Sequence, residues 1–170
     1  MGCTKRDLQN SHRDFKREIK GADGQIIVDI MRNKQTANPA FYFVYQVDEN
    51  DKLINIFWAD SICRKNYSLF GEVVSFDSTY RFNRYNLVFA PFTGVNNDRS
   101  CVTFGAAFLW NEKKESYIWL FKTFLKAMSG VAPKLIMTDE DQSMRIGIEQ
   151  VFPNTKHRLC MWHILMKLTE

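Results

Sequence analysis

The sequence has few of the residues that cross-link a chain or hold it in a membrane. Its 170 residues contain only four cysteines, Cys3, Cys63, Cys101 and Cys160, which are widely spaced and form no CxxC pair. We therefore predict no disulfide framework and a reducing compartment. No apolar run reaches the roughly 18 to 20 residues that cross a membrane. Because the first thirty residues are polar and charged, we predict neither secretion nor a membrane anchor.

The sequence also has no strong excess of positive over negative charge, or the reverse. The net charge is +4 and the isoelectric point about 8.9, a mildly basic balance that is compatible with an anionic partner without demanding one. Hydrophobic residues make up 45 % of the chain and aromatic residues 14 %, with 14 phenylalanines. This composition predicts an ordinary globular domain whose core is filled largely by rings. The length fits one domain plus a short extension.

Patterning along the chain predicts an extension followed by a core. Residues 1–20 are charged and predict a flexible leader, and residues 21–70 predict a helix, a β-hairpin and a second helix. Within that extension the predicted elements are a helix at 26–31, strands at 41–47 and 52–58, and a helix at 59–70 with Gly71 as its C-cap. Residues 71–170 predict the core.

The core pattern predicts a mixed α/β sheet in the order β-β-β-α-β-α-β. Three strands joined by short connections predict an antiparallel meander, and a continuous apolar run after the next helix predicts a strand buried on both faces. The predicted elements are strands at 72–79, 86–95 and 101–109, a helix at 116–128, a strand at 135–137, a helix at 142–151, a strand at 157–160 and a helix from 161.

Asp77 and Asp139 each close a short apolar run of this core. If their strands pair in parallel across the crossover, both carboxylates lie at one edge of the sheet. Such a pair repels unless a cation neutralises it, and a divalent cation held there supports phosphoryl transfer. A third acid would complete the site, and none of the later acids suits the role. Those later acids are Glu140, Asp141, Glu149 and Glu170.

The same aspartates have a structural alternative. Asp139, Glu140 and Asp141 together form a good helix N-terminus, where acids interact favourably with the helix dipole. Asp77, followed by Ser78 and Thr79, is compatible with a simple turn at a strand end. Spacing alone leaves both interpretations open.

Two further groups of residues could bind ligands. Cys160 and His163 lie about one helical turn apart and could donate two metal ligands, with His157 as a third, although structural zinc normally takes four. The alternative is a role in packing or in contact with a DNA end. Cations near the aspartates, with interleaved aromatic residues, could contact a phosphate backbone or form a solvated loop. These cations are Arg81, Arg84, Arg99, Lys156 and Arg158.

Five stretches of the chain, at 57–60, 70–80, 90–96, 138–144 and 151–163, form a set of motifs with a characteristic order and spacing. In this order and spacing they resemble the Mutator-like (MULE) transposase domain. More narrowly, they resemble the plant far-red-impaired-response proteins and their related sequences, which derive from transposases. The resemblance covers roughly residues 20–170.

The resemblance implies a ribonuclease-H-like fold with a DDE-type acid triad that binds Mg²⁺ or Mn²⁺. Asp77 matches the first acid and Asp139 the second. The family's third acid, a Glu, lies beyond Glu170, so we expect a truncated core with a vestigial site. The family's amino-terminal zinc finger is not matched, because Cys3 and His12 cannot make a four-ligand site. Its carboxy-terminal SWIM zinc finger is not matched either, so zinc is expected only in full-length members.

The resemblance also implies a function. We expect a nuclear, transposase-derived regulator of transcription that acts as a DNA-associated or protein-interaction scaffold, with no enzymatic activity. Expected partners are DNA, bound weakly and without sequence preference, and related family proteins in homo- or hetero-oligomers. One alternative is the remnant of an active two-metal transposase, and another is a truncation product without function.

Overall fold

A computed structural model describes residues 24–78 and 87–160 of the chain. The predicted leader and the helix predicted from residue 161 lie outside these residues. None of the helices in the described part is long and apolar enough to cross a membrane. In chain order the elements are α1 (Gly24–Ala37), β1 (Tyr42–Val47), β2 (Leu53–Ala59), α2 (Ser61–Phe70), β3 (Val73–Phe76), β4 (Val88–Val95), β5 (Cys101–Leu109), α3 (Lys114–Ala127), β6 (Leu135–Thr138), α4 (Gln142–Val151) and β7 (Lys156–Leu159).

The seven strands form one mixed sheet in the order β1-β2-β5-β4-β3-β6-β7. Strands β3, β4 and β5 pair antiparallel, which confirms the predicted meander. Strand β6 pairs in parallel with β3, and β7 pairs in parallel with β6. The hairpin of β1 and β2 extends the same sheet, because β2 pairs with β5. The predicted mixed α/β architecture is therefore confirmed.

Strand directions give the sheet two distinct ends. Strand β5 runs parallel to β3, since both are antiparallel to β4, and β6 and β7 run in that direction as well. We call the end where β3, β5, β6 and β7 finish the carboxyl end, and the opposite end the amino end. Helices α3 and α4 carry the chain back between parallel strands, as parallel pairing requires.

Aromatic rings fill the core between the sheet and helices α2, α3 and α4. Phe92 of β4 stacks on Phe124 of α3 with ring centroids 4.0 Å apart, and Phe76 of β3 packs edge-on against Phe121 at 5.1 Å. On the opposite face, α1 covers part of the sheet through a smaller cluster that includes Met31. The alternation of buried residues along each strand thus builds two cores on one sheet.

Two features of the helices differ from the predictions. Helix α1 spans Gly24–Ala37 and so extends beyond the apolar run predicted at 26–31 at both ends, because backbone hydrogen bonds extend a helix without further burial. Gly71 does cap α2, but with φ of −76°, so the left-handed geometry typical of a glycine cap is absent. A Cβ atom at Gly71 would lie 2.5 Å from the ring of Tyr67, and this close approach is what requires glycine.

The cysteines also differ in part from the prediction. Cys63 and Cys160 are free thiols, and burial beside Asp60 raises the pKa of Cys63 to about 12, which makes it a poor nucleophile. Cys101, at the start of β5, is disulfide-bonded, so the expectation of reduced cysteines is wrong there. Sequence spacing cannot reveal such pairing, because a disulfide depends on spatial proximity.

We expect Phe92→Ala to lower the free energy of unfolding by about 3–5 kcal/mol, because truncating a fully buried ring leaves a cavity that its neighbours fill only partly. Phe92 contacts the rings of Phe57, Phe76, Phe121 and Phe124. Urea denaturation measures the change. Val95→Ala is the matched control on the same strand: its side chain is exposed, so its change should stay within about 0.5 kcal/mol. Equal effects of the two variants would contradict this account of the core.

Candidate functional site at the carboxyl end of the sheet

The two aspartates singled out by the sequence lie on neighbouring parallel strands. The register pairs Ser75 of β3 with Met137 of β6, and Asp77 and Asp139 each lie two residues beyond that pair. Both therefore occupy the same level at the carboxyl end of the sheet, on strands about 4.8 Å apart. The predicted parallel pairing of their strands is confirmed. The roles predicted for the two carboxylates remain predictions.

A chain of hydrogen bonds holds the backbone at Asp139. The Thr138 hydroxyl donates to the Asp139 carbonyl oxygen at 2.8 Å, and His157 Nε2 lies 2.8 Å from the same hydroxyl oxygen. Because the single hydroxyl proton of Thr138 is used on Asp139, we assign Nε2 of His157 as the donor to Thr138. The Cys160 N–H donates to the Thr138 carbonyl at 2.7 Å. The Oδ1 atom of Asp139 is itself buried.

The helix-capping role falls on a neighbour of Asp139. Asp141 is the N-cap of α4, and its Oδ1 accepts a hydrogen bond from the Met144 N–H at 2.7 Å. Glu149 pairs with Arg145 one turn along the same helix, at 2.9 Å. The structural alternative for this acidic stretch is therefore confirmed for Asp141, while Asp139 stays at the end of β6.

Directly after Asp77 lies a polar network that sequence reasoning missed. The Ser78 hydroxyl donates to Glu112 Oε1 at 2.8 Å and lies 3.1 Å from the Tyr117 hydroxyl. The Tyr117 hydroxyl also reaches Glu112 Oε1, at 3.4 Å. The end of β3 is thereby tied to the β5–α3 connection and to α3. The sequence signal that could have predicted this network is the placement of Glu112 and Tyr117, five residues apart, on either side of a helix start.

Tyr117 carries this network from the core. Its side chain is fully buried, between Phe76, packed edge-on, and Phe121, stacked at 6.1 Å. Burial is the main cause that raises the pKa of Tyr117. The hydrogen bond with Ser78 acts against it, and the negative charges of Glu112, Asp141 and Asp139 add smaller increases. The hydroxyl therefore stays protonated and serves as a permanent donor beside the carboxylates.

The donors at this end suit a divalent cation only in part. Carboxylate oxygens are the ligands that Mg²⁺ and Mn²⁺ prefer, and the register brings Asp77 and Asp139 to one level. Within residues 24–78 and 87–160, however, no group of three His, Cys, Asp or Glu side chains is arranged to hold a metal. The described residues thus fit as two ligands of such a site.

The other predicted ligands are spread over different places. Cys160 lies just after β7, His163 lies outside the described residues, and the His157 ring is engaged with Thr138. Burial, with a contribution from the charge of Arg145, lowers the pKa of His157. A cysteine–histidine zinc site therefore stays a prediction, and the bond to Thr138 gives His157 a structural task.

The predicted phosphate contacts divide between the two ends. Arg81 and Arg84 lie outside the described residues. Lys156 and Arg158 are exposed on β7, but Lys156 pairs with Leu135 at the amino end. Arg99 lies in the β4–β5 turn with φ of 62°, also at the amino end. The places predicted for Lys156 and Arg99 near the aspartates are wrong, because β5 and β7 run parallel to β3 and their first residues therefore lie at the amino end.

Comparisons with known proteins agree on one family. Residues 73–167 match the MULE transposase domain. Protein FAR1-RELATED SEQUENCE 5 of Arabidopsis thaliana is 42 % identical over all 170 residues, and Protein FAR-RED IMPAIRED RESPONSE 1 of the same plant is 38 % identical over 153 residues, or 89 % of the chain. Protein FAR1-RELATED SEQUENCE 7 is 39 % identical over 96 % of the chain. The chain spans 18–22 % of the length of these relatives.

The network beside Asp77 predicts energetic coupling between Ser78 and Tyr117. We expect Ser78→Ala and Tyr117→Phe each to lower the free energy of unfolding by about 0.5–2 kcal/mol, and the double variant to lose less than the sum by at least about 0.5 kcal/mol. Urea denaturation of the four proteins closes the cycle. Tyr67→Phe is the control, because its hydroxyl donates to the Val131 carbonyl at the amino end; combined with Ser78→Ala it should be additive. Additivity in both cycles would contradict the network.

His157 predicts a loss of stability in mild acid. Its pKa is lowered in the folded protein from about 6.5 in the unfolded chain, so the unfolded state binds the proton first. The contribution of neutral His157 to the free energy of unfolding is fully present above about pH 6.5, and it is lost as the pH falls through the pKa of His157 in the folded protein. We expect the unfolding free energy of His157→Gln, measured from pH 8 to 5, to fall less steeply than that of the wild type. Parallel curves would contradict the assignment.

Proposed function

Because this chain belongs to the MULE transposase domain family, we propose that it is a transposase-derived domain that acts as a DNA-associated or protein-interaction scaffold. In this proposal the domain serves a nuclear regulator of transcription of the far-red-impaired-response type and does not itself cut DNA. The observation that carries the proposal is the family match, which includes relatives named for a far-red response.

The strand order supports a ribonuclease-H-like assignment. From β3 onward the chain makes three antiparallel strands, then a helix, a parallel strand, a helix and a second parallel strand. Within the sheet these strands lie in the order β5-β4-β3-β6-β7. We assign this unit as the ribonuclease-H-like core, with β1 and β2 as an added hairpin. In that fold the acids of a nuclease site lie at strand ends, as Asp77 and Asp139 do.

Two observations support a regulatory and scaffolding role. The relatives' names refer to a far-red response and related sequences, which suggests signalling in place of transposition. The net charge of +4 supports weak, sequence-independent association with DNA through phosphate contacts. Related family proteins are the second class of partner that we propose, because a scaffold must bind other chains.

The second candidate is the remnant of an active DDE-type transposase. The shared level of Asp77 and Asp139 favours it, since two carboxylates there would hold part of a divalent-cation site. A bound Mg²⁺ or Mn²⁺ would supply activation of the attacking water and stabilisation of the leaving oxygen. The residues of this chain would contribute the two carboxylates and, through Ser78 and Tyr117, a rigid end to β3.

The scaffold proposal predicts DNA binding without cleavage. In a gel-shift titration we expect duplexes of unrelated sequence to bind with similar affinity, and this affinity to fall steeply between about 50 and 200 mM salt, because counterion release drives the association. Supercoiled plasmid incubated with the chain and Mg²⁺ or Mn²⁺ should stay intact. Absence of any shift at low salt would remove the DNA-associated part of the proposal.

The nicking assay separates the two candidates. Metal-dependent nicking by the wild-type chain that disappears in Asp77→Asn would establish the transposase remnant and overturn the non-catalytic role. Asp98→Asn is the matched control, because Asp98 is exposed in the β4–β5 turn at the amino end. Nicking that survives both substitutions would indicate a contaminating nuclease.

A further inference from the structure

Strand β7 forms one edge of the sheet. It pairs with β6 on one side, and no strand in the described part of the chain pairs with its other side. The Lys156 and Cys160 N–H groups donate to backbone carbonyl oxygens of the neighbouring segment 134–138, at 3.0 and 2.7 Å. Because successive residues of a strand turn their backbone groups to opposite sides, those of His157 and Leu159 face outward. Such an edge is a template for a further strand.

The two faces of β7 differ in chemistry. Since side chains alternate along a strand, His157 and Leu159 leave it on the face toward α4, and Lys156 and Arg158 leave it on the other. A cleft of about 990 Å³ lies between β7 and α4. Leu159 and Ile146 line this cleft and are exposed by 40 % and 38 %. One face of the edge therefore offers apolar surface, and the other offers positive charge.

The cations of β7 are available to an acidic partner. Both Lys156 and Arg158 are exposed, and none of the ion pairs formed within the described residues includes either of them. The Arg158 side chain turns back to the outer edge, where its Nη1 donates to the His157 carbonyl oxygen at 3.0 Å. A carboxylate placed beside the edge would draw this guanidinium away and leave the carbonyl to a backbone N–H.

These features favour one occupant over two others. A second copy of β7 would bring Lys156 and Arg158 against the same cations, and like charges opposite one another destabilise strand pairing. A nucleic-acid backbone would meet the carboxylates of Asp141 and Glu149 at the cleft and would leave Leu159 uncovered. An extended peptide with alternating acidic and apolar side chains avoids both problems. Its backbone pairs with the edge, its acids meet the cations and its apolar side chains enter the cleft.

We propose that the outer edge of β7 is a docking site for an extended segment of a partner protein in which acidic and apolar residues alternate, bound as an added strand of the sheet. The inference deepens the proposed scaffold function and rests on it, because it names the surface and the class of segment that the scaffold would bind. Main-chain hydrogen bonds would supply affinity, and the two faces of β7 would supply selectivity.

A synthetic hexapeptide in which glutamate and valine alternate tests the proposal. By fluorescence polarisation we expect it to bind the chain with a dissociation constant of about 100 μM or tighter. A control peptide with all glutamates before all valines keeps charge and composition but loses the alternation, and it should bind at least about tenfold more weakly. Equal binding of the two peptides would contradict the proposal, because it would show attraction by charge alone.

Backbone methylation of the peptide tests strand addition itself. In an antiparallel added strand the valine N–H groups face β7, and in a parallel one the glutamate N–H groups do. One of two peptides, N-methylated on valines or on glutamates, should therefore lose binding at least about tenfold while the other retains it. Retention by both would overturn the proposed mode of binding.

Variants of the chain locate the site. Lys156→Glu and Arg158→Glu should each raise the dissociation constant of the alternating peptide at least about tenfold, since each places like charges together. Leu159→Asp should do the same by placing a charge at the cleft. Lys65→Glu is the matched control, because Lys65 is exposed on α2, away from β7. All four substitutions change exposed side chains, so the variants should unfold like the wild type.

Hydrogen exchange of single amides reports the backbone pairing. Addition of the alternating peptide should slow exchange at the outward His157 and Leu159 N–H groups, whereas the Lys156 N–H, already bonded to the Lys134 carbonyl, should change little. Binding without this protection would contradict strand addition, and absence of binding would overturn the inference.

Gel shifts with duplex DNA separate this inference from the proposed function. If the peptide fails to bind while DNA binding by the wild type is weakened in Lys156→Glu and Arg158→Glu, the cations serve DNA. The inference is then wrong and the DNA-associated function stands. Metal-dependent nicking that disappears in Asp77→Asn would instead overturn the non-catalytic function, and peptide binding at β7 would be unaffected by that result.

Discussion

The parallel pairing of β3 with β6 is the interaction on which the rest of the structure depends. It joins the antiparallel half of the sheet to the parallel half, and it brings Asp77 and Asp139 to one level. Parallel pairing requires a crossover connection, usually through a helix, and α3 is the helix in the connection from β3 to β6. The same helix provides Phe121 and Phe124 to the core, so the topology and the packing of the domain have one origin.

Tyr117 links that core to the carboxyl end of the sheet. Its ring is buried among Phe76 and Phe121, while its hydroxyl reaches Ser78 and Glu112 beside the first aspartate. Packing of α3 therefore also positions the end of β3. The amino end is different in kind, with exposed apolar residues around a concavity and a pair of opposite charges.

Most of the fold was predictable because its signals are local. Alternating and continuous apolar runs predicted the strands, and the antiparallel meander followed from short connections; β5 and α4 even have the predicted bounds. Element ends were less accurate, as in α1, since hydrogen bonds along a helix continue after apolar periodicity stops. The position predicted for Arg99 was wrong, because the end of the sheet at which a loop lies depends on the directions of several paired strands. The disulfide at Cys101 was missed because it depends on proximity.

By itself, the sequence determined the candidate aspartates, the order of elements and the family resemblance, because each is written in residues close together along the chain. Only the tertiary structure decided which acids share a level and which one caps a helix: Asp139 follows directly after β6, whereas Asp141 caps α4. It also decided the network of Ser78, Glu112 and Tyr117, whose members lie up to 39 positions apart. The physical reason is that hydrogen bonds, burial and charge act through distances in space, which strand pairing and helix packing set together.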